Sequence, residues 1–155
     1  MSRFVLDASV AIKCVVHEDG SDDASAVLDA CPLSAPDLLV AECANILWKK
    51  ARRQEISQEQ ATLGAGLLQS ADIELLPTRH LMEAATRLAI ELNHPAYDCI
   101  YLALAAENHW PFITADMRLL RKVNEATIRT AAVVTMAEAL TQHATQLKGS
   151  EADAG

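Results

Sequence analysis

Short apolar runs alternate with helical patterns along the whole chain, and few architectures accept that rhythm. Arg3-Phe4-Val5-Leu6-Asp7 reads as a buried strand, and Pro32 to Pro36 as a brief extended piece. Ile73 to Leu76 is a strand ended by Pro77, Pro111 to Ala115 is another, and Thr127 to Val134 is the last. Between them lie helical stretches: Ala8–His17, Asp22–Cys31, a longer one capped by Asp37 and running to about Arg53, and one capped by Ser57. In the last of these, Glu59-Gln60 sits close to the capping-box position. Leu81–Leu92 carries apolar residues on one stripe, Pro95 opens the next helix, and Met117–Glu125 and Met136–Leu147 follow. Cys99 to Ala106 is apolar on every side, so its helix should be central and buried. Strands alternating with helices imply an α/β sandwich around a mostly parallel sheet.

The 155 residues fit one domain, expected over 1–147, with 148–155 as a polar, mobile tail. With 51% hydrophobic residues the chain has material for a core, which excludes disorder and a coiled coil. The apolar run before Asp7 is too short for a signal peptide, and no stretch is long and apolar enough to span a bilayer. Cys14, Cys31, Cys43 and Cys99 are far apart in apolar contexts, so free buried thiols and a cytoplasmic location are expected. Thirteen Lys+Arg against twenty-one Asp+Glu give a formal net charge of −8. That excludes binding nucleic acid by bulk charge, though not through a locally basic groove.

Four acids stand out by their place in this pattern. Asp7 ends the first strand, Asp116 follows the strand Ile113-Thr114-Ala115, and Asp98 opens the most hydrophobic helix. Glu42 interrupts the largely apolar run Leu38 to Ala44. Ligands of parallel α/β sheets bind beyond the carboxyl ends of strands, where the strand order reverses. If the strands of Asp7 and Asp116 are neighbours, their carboxylates converge, and Glu42 and Asp98 can close the ring. Each acid also has an ordinary use: Asp7 and Asp116 as helix N-caps, Asp98 against a helix dipole, Glu42 on a solvated face. Gathered in one pocket, four carboxylates need a cation or protons. Oxygen donors without a His or Cys partner select Mg²⁺ or Mn²⁺. Such a centre is equipment for hydrolysing phosphodiesters.

Phe4-Val5-Leu6-Asp7-Ala8-Ser9, Glu42-Cys43-Ala44-Asn45, Tyr97-Asp98-Cys99-Ile100-Tyr101-Leu102-Ala103-Leu104-Ala105 and Thr114-Ala115-Asp116 resemble, in order, the motifs of PIN-domain ribonucleases. The nearest likeness is to VapC-type toxins of toxin–antitoxin pairs, over about residues 3 to 140. The resemblance implies a PIN-like three-layer sandwich with a five-stranded sheet flanked by helices. It implies Mg²⁺-dependent endoribonuclease activity, with Mn²⁺ able to substitute, inhibition by a VapB-like antitoxin, and a homodimer. Carried over by motif, Asp7, Glu42, Asp98 and Asp116 are the metal-binding acids, Asp7 and Asp98 foremost as direct ligands. Ser9 and Thr114 become hydroxyls that orient a carboxylate or water, and Asn45 a polar neighbour one helical turn from Glu42.

Two basic clusters flank this constellation: Lys49, Lys50, Arg52 and Arg53 after Glu42, and Arg118, Arg121 and Lys122 after Asp116. Either can hold RNA phosphates or form a solvated helix face. His17, His80, His94, His109 and His143 show no metal-ligand spacing and read as surface or capping residues. Six aromatics, mostly in core-like positions, make a base-stacking platform a poor fit. Two other classes compete with the nuclease. An aspartate-based phosphotransfer domain would need a second acid where Ser9 stands. A PIN-like module that only binds partners would not need all four acids.

Overall fold

The computed structural model describes residues 3–126 and 130–154. Five strands form the sheet: β1 (Phe4–Leu6), β2 (Leu33–Pro36), β3 (Ile73–Leu76), β4 (Phe112–Ile113) and β5 (Val133–Val134). Their order is β3-β2-β1-β4-β5, and all four pairings are parallel. Every residue of β1, β2, β4 and β5 is buried, as expected for parallel strands covered by helices, while β3 is a half-exposed edge.

Helices α1 (Ala8–Lys13), α2 (Ser21–Ala30), α3 (Leu38–Arg52), α4 (Gln58–Gln69), α5 (Met82–Leu92), α6 (Ala96–Asn108), α7 (Met117–Glu125) and α8 (Met136–Asp153) flank the sheet. Among the described residues, no helix is long and apolar enough to cross a membrane. As the sequence requires, α6 is the central helix. It packs against β1, β2 and β4, burying Cys99 and Tyr101 to Ala105. The Tyr101 ring stacks on Phe112 with centroids 5.7 Å apart. All four cysteines are free, and three of them are buried.

Several boundaries differ from expectation. Helix α1 stops at Lys13, short of His17. The chain turns there because the Ser21 hydroxyl donates to Val16 O and accepts from Glu18 N, anchoring the turn from outside the helix. Asp37 does not cap α3 with its side chain. Its carboxylate instead accepts from Thr78 Oγ1 at 2.9 Å, and its N–H donates to Leu76 O, tying the start of α3 to the end of β3. The last strand is only Val133–Val134, and residues 127–129 of the expected strand lie outside the described residues. Helix α8 continues to Asp153, so the expected polar tail is helical over most of its length. Apart from Gly149, residues 148–153 include no strong helix breaker, and a Cβ built on Gly149 meets nothing within 4 Å.

Candidate metal centre

Strand β1 is followed on one side by β2 and β3 and on the other by β4 and β5, so the order reverses at the β1–β4 seam. In that seam Leu6 is level with Ile113, which sets Asp7 beside Thr114. Asp7 is 4% exposed, and its N–H donates to Ile113 O. Its Oδ2 accepts from Ser9 Oγ and from Thr114 Oγ1, both at 2.7 Å. Neither hydroxyl is free to turn away: Ser9 Oγ accepts from Ala115 N at 3.1 Å, and Thr114 Oγ1 accepts from Asp116 N at 3.0 Å. Among the described residues no side-chain donor reaches Oδ1. Burial pushes the Asp7 carboxyl up to about 6, against the two hydroxyls, and the nearby Asp98 charge adds to the rise.

Glu42 projects from α3 toward the same place. Its carboxyl is raised to about 7, chiefly by burial and further by the charges of Asp7 and Asp98. The Tyr101 hydroxyl lies close enough to favour ionised Glu42, yet the geometry falls short of a hydrogen bond. Glu42 Oε1 and Tyr101 Oη are both buried without a partner. Burial and Glu42 together drive the Tyr101 phenol far above its ordinary range, so it stays protonated.

Asp98 sits in the first turn of α6, where the helix dipole favours a carboxylate. Its Oδ2 is 2.5 Å from His94 Nε2. Asp116 is the N-cap of α7, its Oδ1 accepting from Arg118 N and Leu119 N. Its ordinary structural use is therefore real, and it coexists with a place in the cluster. Ligand atoms of His94, Asp98 and Asp116 all lie within 4.8 Å of one another. Asp98 and Asp116 thus share a cluster with His94, which was missed in the sequence, and Asp7 and Glu42 lie near enough to feel the Asp98 charge. The only sequence signal of His94 was spacing: a histidine four residues before Asp98, across Pro95.

The supporting residues divide. Ser9 and Thr114 orient Asp7 directly, whereas the Asn45 side chain is exposed and makes no hydrogen bond among the described residues. Lys49, Arg52 and Arg53 are exposed at the end of α3, with Arg52 over the Trp48 ring at 4.9 Å and Arg53 4.0 Å from Glu55. Lys50 is half-buried and paired with Glu18 at 3.1 Å and Glu55 at 3.3 Å, fastening α3 to the turn after α1. Arg118 and Arg121 are exposed on α7, while Lys122 turns inward and donates to Asn93 O at 2.7 Å. A cleft of about 480 Å³ beside Glu18 and Lys50 lies away from the acids. Its one lysine is paired with both of its glutamates, whereas, among the described residues, the acids near the β1–β4 seam have no such lysine.

A parallel α/β sheet with an acidic cluster at its switch point defines the class of this protein. The PIN domain family profile matches residues 4–126, and the chain belongs to that family. It is 30% identical over 126 residues to Ribonuclease VapC3 of Pyrobaculum aerophilum, covering 77% of this chain and 94% of that protein. The crystal structure of PAE2754 from Pyrobaculum aerophilum has a similar fold, with a TM-score of 0.70 at 22% identity over 93% of this chain and 90% of that one. A second similar structure is VapBC2 from Rickettsia felis bound to a promoter DNA fragment. It has a TM-score of 0.60 at 13% identity over 85% of this chain and 97% of that one.

Proposed function

We propose that this chain is a Mg²⁺-dependent endoribonuclease and the toxin half of a cytoplasmic toxin–antitoxin pair. The observation that carries the proposal is the convergence of Asp7, Glu42, Asp98 and Asp116, with Asp7 and Glu42 raised to about 6 and about 7. Acids so placed hold their charge comfortably only against a cation. Their donors are carboxylate oxygens, which suit Mg²⁺ and Mn²⁺, and the orphaned Glu42 Oε1 is a buried acceptor awaiting one. The residues therefore fit a hard divalent ion, held by Asp7 and Asp98 and completed by Glu42 and Asp116. When bound, such an ion supplies the Lewis acidity that activates water and stabilises the leaving oxygen.

The chain's own residues supply orientation. Ser9 and Thr114 fix Asp7 through one oxygen, and the α7 amides fix Asp116. Arg118 and Arg121, with Lys49, Arg52 and Arg53, are the cations available for RNA phosphates. The ion pairs of Lys50 and the inward turn of Lys122 leave both less free for that task. The family resemblance and the VapC-type relative support RNA as substrate, a VapB-like antitoxin as partner and a homodimer as the assembly. A basic antitoxin side chain entering the acidic cluster would displace the ion.

Cleavage of total cellular RNA by partner-free protein, with Mg²⁺, with EDTA, and with Asp98→Asn, tests this. Discrete fragments are expected only from the wild type with Mg²⁺. Folded wild type that cleaves nothing would favour a module that binds partners without catalysis.

A further inference from the structure

Among the described residues, His94 is the one non-acid in the close group it forms with Asp98 and Asp116, and its surroundings define what it does. It lies in the joint between α5 and α6. Asn93 ends α5 with φ 48°, a left-handed conformation that asparagine tolerates, and the His94 N–H donates to Ala89 O at 3.1 Å. Pro95 follows as the N-cap of α6. The joint therefore sets His94 at a fixed height against Asp98, one turn into α6.

The imidazole is 9% exposed and lies between two charged groups. Nε2 is 2.5 Å from Asp98 Oδ2, and Nδ1 is 3.4 Å from Lys122 Nζ. The same ammonium donates to Asn93 O at 2.7 Å. A lysine ammonium has donors and no acceptor, so Nδ1 must be the unprotonated nitrogen. The ring proton then resides on Nε2 and is donated to Asp98. Donor direction is fixed from end to end: Lys122 to His94, His94 to Asp98.

We infer that His94 is a positioning residue: it ties down Asp98 Oδ2 and leaves Oδ1 for the cation, while Lys122 selects the imidazole tautomer. This rests on the metal-dependent function proposed above. Asp7 is held in the same way through Oδ2, with two hydroxyls in place of the imidazole. Outer-shell partners of this kind fix a ligand's orientation and raise its affinity for metal. The imidazole does not itself ligate the ion, although it lies within 4.8 Å of Asp98 and Asp116, because its Nε2 proton is directed at Asp98.

Two measurements on the full chain test this. Imidazole ¹H–¹⁵N spectra of the metal-free wild type should show Nε2 protonated and Nδ1 not, and Lys122→Met should let the other tautomer appear. Mn²⁺ titration should show a roughly 10–100-fold loss of affinity in His94→Ala. His94→Gln, whose amide can donate from the position of Nε2, should recover most of that loss. Three results would overturn the role: an Nδ1–H wild type, unchanged Mn²⁺ affinity in His94→Ala, or His94→Gln as damaged as His94→Ala. The last would make the imidazole a ligand. Wild type that binds no Mn²⁺ at all would instead sink the metal-dependent function, and the positioning role with it. Should His94→Ala fail to fold, the tautomer and His94→Gln still decide.

Discussion

Asp7 is gripped by two hydroxyls and is still harder to ionise than a free aspartate, because the cost of burial outweighs both hydrogen bonds. A carboxyl whose folded pKa is raised binds protons in the native state that the unfolded chain has already lost. Native stability must then fall as pH rises through the window between the two values. For Asp7 that window runs from 3.8 to about 6, and for Glu42 from 4.5 to about 7. In EDTA, melting temperatures should therefore decline from pH 5 to pH 7.5, and saturating Mg²⁺ should remove most of the decline. Asp7→Asn should flatten the profile and be more stable than the wild type near pH 7.5, by up to roughly 3 kcal/mol. Parallel wild-type and Asp7→Asn profiles would show that the Asp7 charge costs nothing in the fold. The four acids were legible because each interrupts an apolar pattern at a place where a charge needs a reason. His94 was not, since it reaches the site only through Asp98 and through a joint made by the left-handed Asn93. Histidine motifs describe direct ligands and miss such an arrangement.

At the scale of elements, the sequence pattern located the five strands and eight α-helices among the described residues, and the differences fall where polar side chains decide the ends. Ser57 and Asp37 look alike in the sequence, each a capping type before a helical run. Ser57 makes a full capping box, accepting from Gln60 N while Gln60 Oε1 accepts from Ser57 N. Asp37 does not cap, because its carboxylate is committed across the sheet edge to Thr78. That choice depends on a residue 41 positions away and is invisible locally. The two substitutions should consequently separate in urea denaturation. Ser57→Ala should cost about 1 kcal/mol, the ordinary value of a lost N-cap. Asp37→Ala should cost about 0.5 kcal/mol, the worth of one exposed hydrogen bond. Equal losses would restore Asp37 as a cap. Helix α8 makes the same point from the other direction. Thr135 and Glu138 form a capping box that starts it firmly, but nothing in the polar sequence after Leu147 announces whether the helix stops.

The order of the sheet belongs to the whole molecule and could not be built from local patterns. Strand β4 lies beside β1 although more than a hundred residues separate them, and only that neighbourhood lets Thr114 bond both Asp7 and the Asp116 amide. The family resemblance, not periodicity, joined the five strands into one sheet. The same global view sets the terms on which a chain of net charge −8 can hold RNA. Its general field repels phosphate, so the proposed RNA binding would depend on an ion in the acidic cluster and on a few exposed cations beside it. Arg118 and Arg121 stand on α7, the helix that Asp116 caps, and are free of acidic partners among the described residues. Lys50 is neutralised by Glu18 and Glu55. Removing one cation that neutralises a phosphate should lower the slope of log affinity against log salt by about 0.7 for single-stranded RNA. Anisotropy of a labelled single-stranded RNA in Ca²⁺, across a salt series, should show the slope reduced in Arg118→Ala and further in the double variant with Arg121→Ala. Lys50→Met should leave the slope unchanged and lower the melting temperature instead, since it breaks a pair that fastens α3 to the turn after α1. A slope that responds to Lys50 and ignores both arginines would move the RNA path to the α3 side of the cluster, where Lys49, Arg52 and Arg53 stand exposed.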